Sequence, residues 1–281
     1  SAASDVYKRQ VSWGKVGNDL GSTRFMYMPA VWNPGRDYSF GINNPVLSEG
    51  YVSGVPGNRD VTWETASKQN YGIDMMFLNN RLTLNVDYFF EHRTGILLSP
   101  QDTPAVIATG LPDLNLGVID NQGYEIALGW KDKLKSGFSY YVNANVSFAR
   151  NKIINMGEIK NDYDYQNETG GSTGRQKGVY QFERLYQYSD FTQDPEGNYI
   201  LNPNFPQPSV TVYPGDAMYA DLNGDNIVNE KDKMVTGYPN RPEYMFGLNG
   251  GIEYKGFNFS MQWAGATNVN RVMEVDYRIP F

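Results

Sequence analysis

The feature that most constrains this chain is an alternation of apolar and polar side chains, with a period of two residues, over unusually long segments. In FSYYVNANVSF (138–148), Phe, Tyr, Val, Ala, Val and Phe alternate with residues that are mostly Ser or Asn. Successive side chains of a β-strand point to opposite faces, so this segment has one apolar and one polar face. The same alternation recurs at 71–77, 82–91, 124–131, 246–254 and 257–263. Because no segment shows a convincing 3.6 period, the sequence predicts an all-β chain.

The length of these segments favours a membrane barrel. Soluble strands usually run about 5–6 residues, whereas these alternations persist for about ten, the length of a tilted strand that crosses a bilayer. Aromatic residues also stand near both ends of several apolar faces, as expected at the two water–lipid boundaries. They are Phe138 with Phe148, Tyr124 with Trp130, and Phe257 with Trp263. A soluble antiparallel sandwich or barrel is the alternative that these patterns leave open.

The connections between the alternating segments differ in length in a regular order. Short turns are predicted at 78–81, 131–137 and 255–256, and long connections at 92–121 and 151–241. Two of the short turns, within 78–81 and 254–257, are interpreted as hairpin turns with two central residues. Outer-membrane barrels have short periplasmic turns and long outer loops. Counting strands along the chain therefore places the long connections on the outer side.

Composition excludes several classes of function. A net charge of −7 argues against a nucleic-acid partner, which needs a basic stripe. The chain has no cysteine, so disulfides and thiolate metal sites are excluded. No apolar run reaches the roughly 18 residues of a membrane helix, whereas barrel strands carry apolar residues only at every second position.

The segment DLNGDNIVNEKD (221–232) has the spacing of an EF-hand-like calcium loop. With Asp221 as position 1, oxygen ligands are predicted at positions 1, 3, 5, 7, 9 and 12. These are Asp221, Asn223, Asp225, the backbone carbonyl of Ile227, Asn229 and Asp232. Asn226 stands where Gly is usual, and Asn is among the few residues that tolerate a left-handed conformation.

This loop has two interpretations, an ordinary polar surface turn and a calcium-binding loop. Surface turns favour Asp, Asn and Gly in any case, which is the simpler interpretation. With Pro239 and Pro242 following, no flanking helices are predicted, so a bound calcium ion is expected to stiffen an outer loop rather than to drive a sensor-like opening. Val228, at position 8, is expected to anchor the loop among apolar neighbours.

No set of residues predicts an enzyme. His92 is expected at the membrane rim at the end of a strand, and the acids Asp162 and Asp164 in a solvated loop. Gly170–Gly174 lacks the Lys of a P-loop and is interpreted as a flexible segment. Tyrosines of the long excursion are candidate sugar-stacking groups; they are Tyr163, Tyr165, Tyr180, Tyr186 and Tyr188.

Four ordered motifs resemble one family. DVTWETASKQNYGIDMMFLNNRLTLNVDYFFEHRTGILL (60–98), IDNQGYEIALGW (119–130) and the calcium loop with the hairpin that follows it (219–268) are similar to the SusC/RagA-type TonB-linked outer-membrane transporters of Bacteroidetes, and SWGKVGN (12–18) fits as well. The resemblance implies part of a barrel of about 22 strands that encloses a plug. It also implies import of oligosaccharides or peptides with energy from TonB, a SusD-like lipoprotein as lid, contact with outer-membrane lipid, and location in the outer membrane of a Gram-negative bacterium.

The expected organisation follows from the same reading. Residues 1–10 (SAASDVYKRQ) look like a translated sequencing adapter, and residues 11–281 are expected to be part of the barrel domain of a longer protein. Such a fragment supplies wall and outer loops and cannot close a barrel by itself. The alternative function is a secreted calcium-dependent glycan-binding β module, which explains the aromatic residues and the loop but not the alternating lengths of the connections.

Overall fold

The computed structural model describes residues 6–19, 25–29, 32–35, 37–42, 46–101 and 110–273. In chain order its strands are β1 (Val6–Asn18), β2 (Trp32–Pro34), β3 (Tyr38–Phe40), β4 (Val46–Ser48), β5 (Tyr51–Ser53), β6 (Glu64–Phe77), β7 (Leu82–Leu98), β8 (Leu114–Lys133), β9 (Ser139–Asn155), β10 (Phe182–Leu185), β11 (Phe191–Gln193), β12 (Tyr199–Leu201), β13 (Gln207–Pro208), β14 (Ala217–Tyr219), β15 (Ile227–Val228), β16 (Tyr244–Tyr254) and β17 (Phe257–Thr267). Single 3₁₀ turns lie at Asp164–Gln166, Tyr188–Asp190 and Glu230–Asp232. Within the described ranges, no helix is long and apolar enough to cross a membrane.

A seven-stranded sheet in the order β1-β6-β7-β8-β9-β16-β17 forms most of the first of two compact units, residues 1–159 and 244–266. Neighbouring strands from β1 to β16 pair antiparallel. The central strands β7, β8 and β9 are 17, 20 and 17 residues long. The all-β prediction and the long strands are therefore confirmed, and the sheet is an open segment of barrel wall.

The connections confirm the alternation of short and long but correct several boundaries. The long connection predicted at about 92–121 is present with narrower bounds, 99–113, because β7 runs to Leu98 and β8 begins at Leu114. Ladder pairing continues through polar residues such as Glu91 with Asn121 and His92 with Asp120, where the apolar alternation has already faded. The hydrogen-bonded ladder does not require an apolar face, so the strands extend beyond the apolar–polar alternation from which they are predicted.

The short turns show the same kind of correction. Four residues, Leu78 to Arg81, join β6 to β7, and three of them are left-handed, at φ values of 55°, 58° and 63°. The two-residue turn expected there is wrong. Lys255 and Gly256, with φ of 48° and 83°, form the two-residue turn expected between β16 and β17. The remaining connections span 134–138 rather than 131–137, and 156–243 rather than 151–241.

One face of the sheet is an apolar band bounded by aromatic rows. Directly opposed residues share a face, and five of them form the outer aromatic row, which consists of Tyr71, Tyr88, Tyr124, Phe148 and Tyr244 on β6, β7, β8, β9 and β16. The Phe148 and Tyr244 rings lie 4.6 Å apart. At the other boundary, the Phe138 and Tyr254 rings lie 6.1 Å apart. The aromatic residues predicted at both ends of β9's apolar face, Phe138 and Phe148, are in place.

The spacing of these rows fits a bilayer. Phe138 and Phe148 are ten positions apart, a rise of about 34 Å at roughly 3.4 Å per residue. For a strand tilted by roughly 40°, the height is about 26 Å, close to the roughly 25 Å apolar band of membrane barrels. The opposite face is polar: Asn85 donates to Asp74 (2.6 Å), and Asn143 donates to Asn249 (2.9 Å).

The second unit comprises residues 160–243 and 267–273 among those described. It is built from short pairs: β10 with β14 and β11 with β12 antiparallel, and β13 with β15 parallel. Tyr186, Phe191 and Met218 form its core, with Tyr199, Leu201, Phe205 and Val212 packed around them. The sequence predicts a polar excursion here and misses this core.

The interpretation of residues 1–10 as an artefact stays a prediction. Of these, residues 1–5 lie outside the described part of the chain. Residues 6–10 continue β1 and pair in register with β6, from Val6 with Met76 to Gln10 with Gly72.

Candidate calcium-binding loop

The backbone of residues 221–232 turns sharply at two left-handed positions. Gly224 has φ of 76° and Asn226 has φ of 63°. Asn226 is thus in the conformation that the sequence predicts for position 6, in a residue type that reaches it at low cost. Val228 is buried, at 6% exposure, and pairs with Pro208 in the β13–β15 bridge. The burial expected of an anchoring residue is therefore observed at Val228.

Side chains at the first positions of the loop hold its backbone. The two carboxylate oxygens of Asp221 accept the N–H groups of Gly224 and Asn226, both at 2.7 Å. Asp225 accepts the N–H of Ile227 at 2.9 Å, and Asn223 accepts the N–H of Asp225 at 2.9 Å. Asp and Asn side chains that bond to backbone two or three residues ahead are what a tight polar turn requires.

Asp232 closes the loop. It is fully buried, at 0% exposure. Its Oδ1 accepts the N–H groups of Leu222 (2.9 Å) and Asn223 (3.4 Å), and its Oδ2 accepts the N–H of Asn229 (2.8 Å). Position 12 is thereby bonded to positions 2, 3 and 9. A buried carboxylate without such partners is strongly unfavourable, so these three donors fix the end of the loop against its beginning.

Tyr165 and Gln166, which precede the loop in the chain, form hydrogen bonds to the C-terminal end of the loop, and we call this pair the clasp. Tyr165 donates its phenol O–H to the carbonyl of Lys231 at 2.7 Å. The Gln166 amide donates to the carbonyls of Glu230, Lys231 and Lys233 at 3.2, 3.0 and 3.1 Å. Partial burial and, after it, the negative charge of Asp232 raise the pKa of the Tyr165 phenol. Sequence reasoning misses this clasp, because the partners are separated by more than sixty positions and carry no motif.

The predicted ligands are of the chemical type that calcium prefers, but their carboxylates are not grouped into a cluster. Oxygen ligands from Asp, Asn and a backbone carbonyl are those that calcium prefers. Across the described ranges, however, no three His, Cys, Asp or Glu side chains are grouped to hold a metal ion. The carboxylates of the loop instead accept backbone N–H groups. Asp232 Oδ1 accepts two of them, whereas each oxygen of Asp221 accepts one and keeps a further lone pair for a ligand bond. Calcium binding at this loop stays a prediction.

The other singled-out residues are distributed over both units. His92 lies inside β7 rather than at its end, and its Nδ1 is 2.5 Å from Asp120 Oδ1. The flexibility expected of Gly170–Gly174 stays a prediction, and the segment has a packing partner. Arg175 fills it, donating to the carbonyls of Glu168 (2.6 Å), Ser172 (3.1 Å) and Asn167 (3.4 Å). Asp164 starts a 3₁₀ turn, and Asp162 is exposed.

The five candidate sugar-stacking tyrosines have different environments. Tyr186 is buried at 3% exposure in the core of the second unit and is unavailable to a ligand, so that expectation is wrong. Tyr163 stacks on Tyr165 at 5.3 Å with an interplanar angle of 14°. The ring of Tyr180 contacts the Lys233 ammonium at 5.4 Å. Tyr188 is 73% exposed.

Long antiparallel strands, an apolar face between two aromatic rows, short turns at one end and long loops at the other define a segment of outer-membrane barrel wall. The sequence profile of the family described as "TonB dependent receptor-like, beta-barrel" matches residues 31–278. The chain belongs to this family, whose members lie in the outer membrane of Gram-negative bacteria.

Relatives and solved structures agree with that assignment. TonB-dependent receptor P3 of Formosa agariphila is 25% identical over 272 residues, covering 91% of this chain and 25% of that protein. TonB-dependent receptor SusC of Bacteroides thetaiotaomicron is 25% identical over 273 residues, covering 93% and 25%. The RagAB peptide importer in its open-open state superposes with a TM-score of 0.61 at 15% identity, covering 94% of this chain and 26% of that one. The chain thus spans about a quarter of the length of these relatives, and the structural likeness shows the fold.

Proposed function

We propose that the protein containing this chain imports oligosaccharides or peptides across the outer membrane, with energy from TonB and with a SusD-like lipoprotein as its lid. The observation that carries the proposal is the family match over residues 31–278, together with the similarity to SusC and to the RagAB peptide importer. This chain contributes barrel wall and outer loops, and no group in it is assigned to catalysis.

Deletion of the full-length gene tests the proposal. We expect the deletion strain to lose uptake of one labelled oligosaccharide or peptide class, and a strain lacking TonB to lose uptake of the same class. Retention of all uptake in both strains would contradict the proposal. Recovery of the protein in the soluble extracellular fraction would favour a secreted calcium-dependent glycan-binding module.

We propose further that calcium, bound through Asp221, Asn223, Asp225, Ile227, Asn229 and Asp232, braces the outer loops near the lid and takes no part in transport chemistry. The spacing of the oxygens and the left-handed turn at Asn226 support this role. Calcium at millimolar concentration outside the cell suits a site of modest affinity.

The test is a calcium titration of the full-length protein. An Asp221→Ala/Asp225→Ala variant is expected to lose calcium binding and the calcium-dependent protection of the second unit from protease. Asp194→Ala is the matched control, because Asp194 also accepts the backbone N–H groups of Glu196 (2.9 Å) and Asn198 (2.8 Å) in a turn of the same unit. Equal calcium affinity in all three proteins would refute the assignment.

Tyr188 is the member of the five tyrosines that we propose as a substrate contact, since its ring is the most exposed of them. A Tyr188→Ala variant is expected to weaken uptake while a Tyr188→Phe variant, which keeps the aromatic face, retains it. Unchanged uptake of every tested glycan and peptide by Tyr188→Ala would exclude the contact.

A further inference from the structure

The calcium loop contains one of the two Asn–Gly dipeptides of the sequence. This dipeptide is Asn223–Gly224, and the other is Asn249–Gly250 in β16. In an Asn–Gly dipeptide the peptide nitrogen of the glycine can attack the side-chain carbonyl carbon of the asparagine, because glycine has no Cβ to obstruct the approach. The two dipeptides have surroundings that affect this reaction in opposite directions.

Hydrogen bonds hold Asn223 and Gly224 in a folded arrangement. Asn223 Oδ1 accepts the N–H of Asp225 at 2.9 Å, which folds the side chain over the peptide that follows it. The Gly224 N–H donates to Asp221 Oδ1 at 2.7 Å. The side-chain carbonyl and the attacking nitrogen are thus fixed within one turn, and groups held in this way react without a search through open conformations.

The contacts of the Asn223 amide also favour the reaction. During attack, negative charge develops on Asn223 Oδ1, and the N–H of Asp225 already donates to this atom. It is therefore placed as an oxyanion donor. Asp225 Oδ2 accepts a hydrogen bond from Asn223 Nδ2 at 3.0 Å, which holds the amide nitrogen that has to leave.

The turn has room for a cyclic product and access to water. Gly224 is left-handed, at φ of 76°, and nothing lies within 4 Å of its Cβ position. Gly224, Asp225 and Asn226 are exposed. Water can therefore reach the ring that the attack would form.

Asn249–Gly250 lacks this arrangement. The two residues oppose Asn143 and Val142 in the ladder between β16 and β9, and Asn249 Oδ1 accepts the Asn143 amide at 2.9 Å. In a strand the side chain stands roughly perpendicular to the sheet, away from the following peptide nitrogen. The ladder therefore protects this second dipeptide.

We propose that Asn223 is a site of spontaneous deamidation, promoted by the fold of the loop. The Gly224 nitrogen forms a bond to Asn223 Cγ, the Cγ–Nδ2 bond breaks, and the amide group leaves as ammonia with the proton that the Gly224 nitrogen loses. Water then opens the cyclic imide at either carbonyl, giving aspartate or isoaspartate, and no oxidant or reductant is needed. Each product adds a carboxylate to a loop that already carries Asp221, Asp225 and Asp232. The proposal rests neither on transport nor on calcium binding.

The test is incubation of the full-length protein at neutral pH with a calcium chelator, in its folded state and in guanidinium chloride. Peptide mass spectrometry detects the change from amide to carboxylate, and enzymatic methylation detects isoaspartate. A placed oxyanion donor contributes roughly a hundred-fold or more in the enclosed site of an enzyme, so we expect Asn223, in an open loop, to convert about ten-fold faster in the folded protein than in denaturant. Asn249 should remain intact in the folded protein and convert in denaturant.

Glu196→Asn supplies the matched control. It places an asparagine before Gly197, another left-handed glycine, at φ of 88°, in an exposed turn of the second unit. The Gly197 N–H donates to the backbone carbonyl of Asp194 rather than to a carboxylate. Conversion at position 196 should therefore be slower than at Asn223 and close to the rate in denaturant.

Asn223→Gln is the chemical control, since its additional CH₂ group requires a larger ring, and it should stay unmodified. Conversion of Asn223 that is no faster in the folded protein than in denaturant, or no faster than at position 196 of Glu196→Asn, would overturn the proposal. If a variant fails to fold, the comparison of the folded and denatured unsubstituted protein still decides the matter.

Discussion

Single carboxylates, rather than long ladders, organise the backbone of the connection 156–243. Asp232 accepts three N–H groups of the calcium loop, and Asp194 accepts those of Glu196 and Asn198. Buried backbone groups need partners, and where strands are only two to four residues long the side chains must supply them. The aspartates of this connection are therefore needed to stabilise its backbone, whether or not they also bind a metal ion.

At Asp190, the stabilisation of the backbone by a carboxylate should depend on pH and can be measured in that way. It is 6% exposed and accepts the Arg184 guanidinium at 2.6 Å and the N–H of Gln187 at 2.8 Å. The hydrogen bond from Arg184 comes first among the causes that lower the pKa of Asp190. In the unfolded chain the group titrates near pH 3.9. Because the folded value is lower, its stabilisation is present above about pH 4 and is lost as the pH falls through the folded value.

We predict that Asp190→Asn loosens the second unit at neutral pH and removes this acid dependence. A hydrogen bond to a charged group contributes about 1.5–3 kcal/mol, so amide exchange at Gln187 should accelerate by about ten-fold or more. Hydrogen exchange corrected for intrinsic rates measures it. Glu196→Gln, a change at an exposed acid of the same unit, is the control, and equal acceleration in the two variants would contradict the assigned role.

Some residue-level features of the candidate site follow from sequence and others do not. The register of Asp221 to Asp232, the left-handed Asn226 and the buried Val228 are predictable because each depends on neighbours within a few positions. The clasp by Tyr165 and Gln166 is not, since it joins segments distant in sequence. The burial of Tyr186 is likewise not predictable, because the core that contains it is formed by segments without a periodic apolar pattern.

At the scale of strands, the period of two identifies β6 to β9, β16 and β17 wherever one face meets lipid. It fails beyond the outer aromatic row, because there both faces carry polar groups while the ladder continues for several residues. It also misses β1 to β5, of which β2 to β5 have only three residues each, too few for an alternation to be distinguished. Strand ends are therefore set by pairing and not by hydropathy.

Close packing between strands gives a prediction at this scale. Gly123 of β8 opposes Phe89 of β7, and a Cβ there would lie 2.6 Å from the Phe89 ring and would collide with the backbone oxygen of Phe148. Gly123→Ala must shift one of the two neighbouring strands, at a cost of roughly 1–3 kcal/mol. Gly237→Ala in the second unit is the control, since nothing lies within 4 Å of its Cβ position and the residue is not on an edge strand of the sheet. Urea unfolding of the full-length protein in lipid vesicles compares them, and an equal loss of stability in both variants would rule out the packing argument.

At the scale of the whole molecule, the sheet has two edges. In the described part of the chain, β1 pairs with β6 alone and β17 neighbours β16 alone, so the seven strands do not close on themselves. Unpaired backbone N–H and C=O groups cost several kcal/mol each in hydrocarbon, which is why membrane sheets are closed. The apolar band and its aromatic rows suit the sheet to a bilayer, whereas its edges require further strands.

This conflict predicts how the isolated chain behaves. Refolded alone into lipid vesicles, it should remain open to protease and should migrate identically in electrophoresis whether heated or not, because no closed barrel forms. Supplying the remaining strands, as in the full-length protein, should restore protease resistance and heat-dependent mobility. A protease-resistant species from the isolated chain would contradict the prediction if its mass is that of one chain. A mass of several chains would mean that copies close a barrel edge to edge, which satisfies the same backbone groups by the other available route.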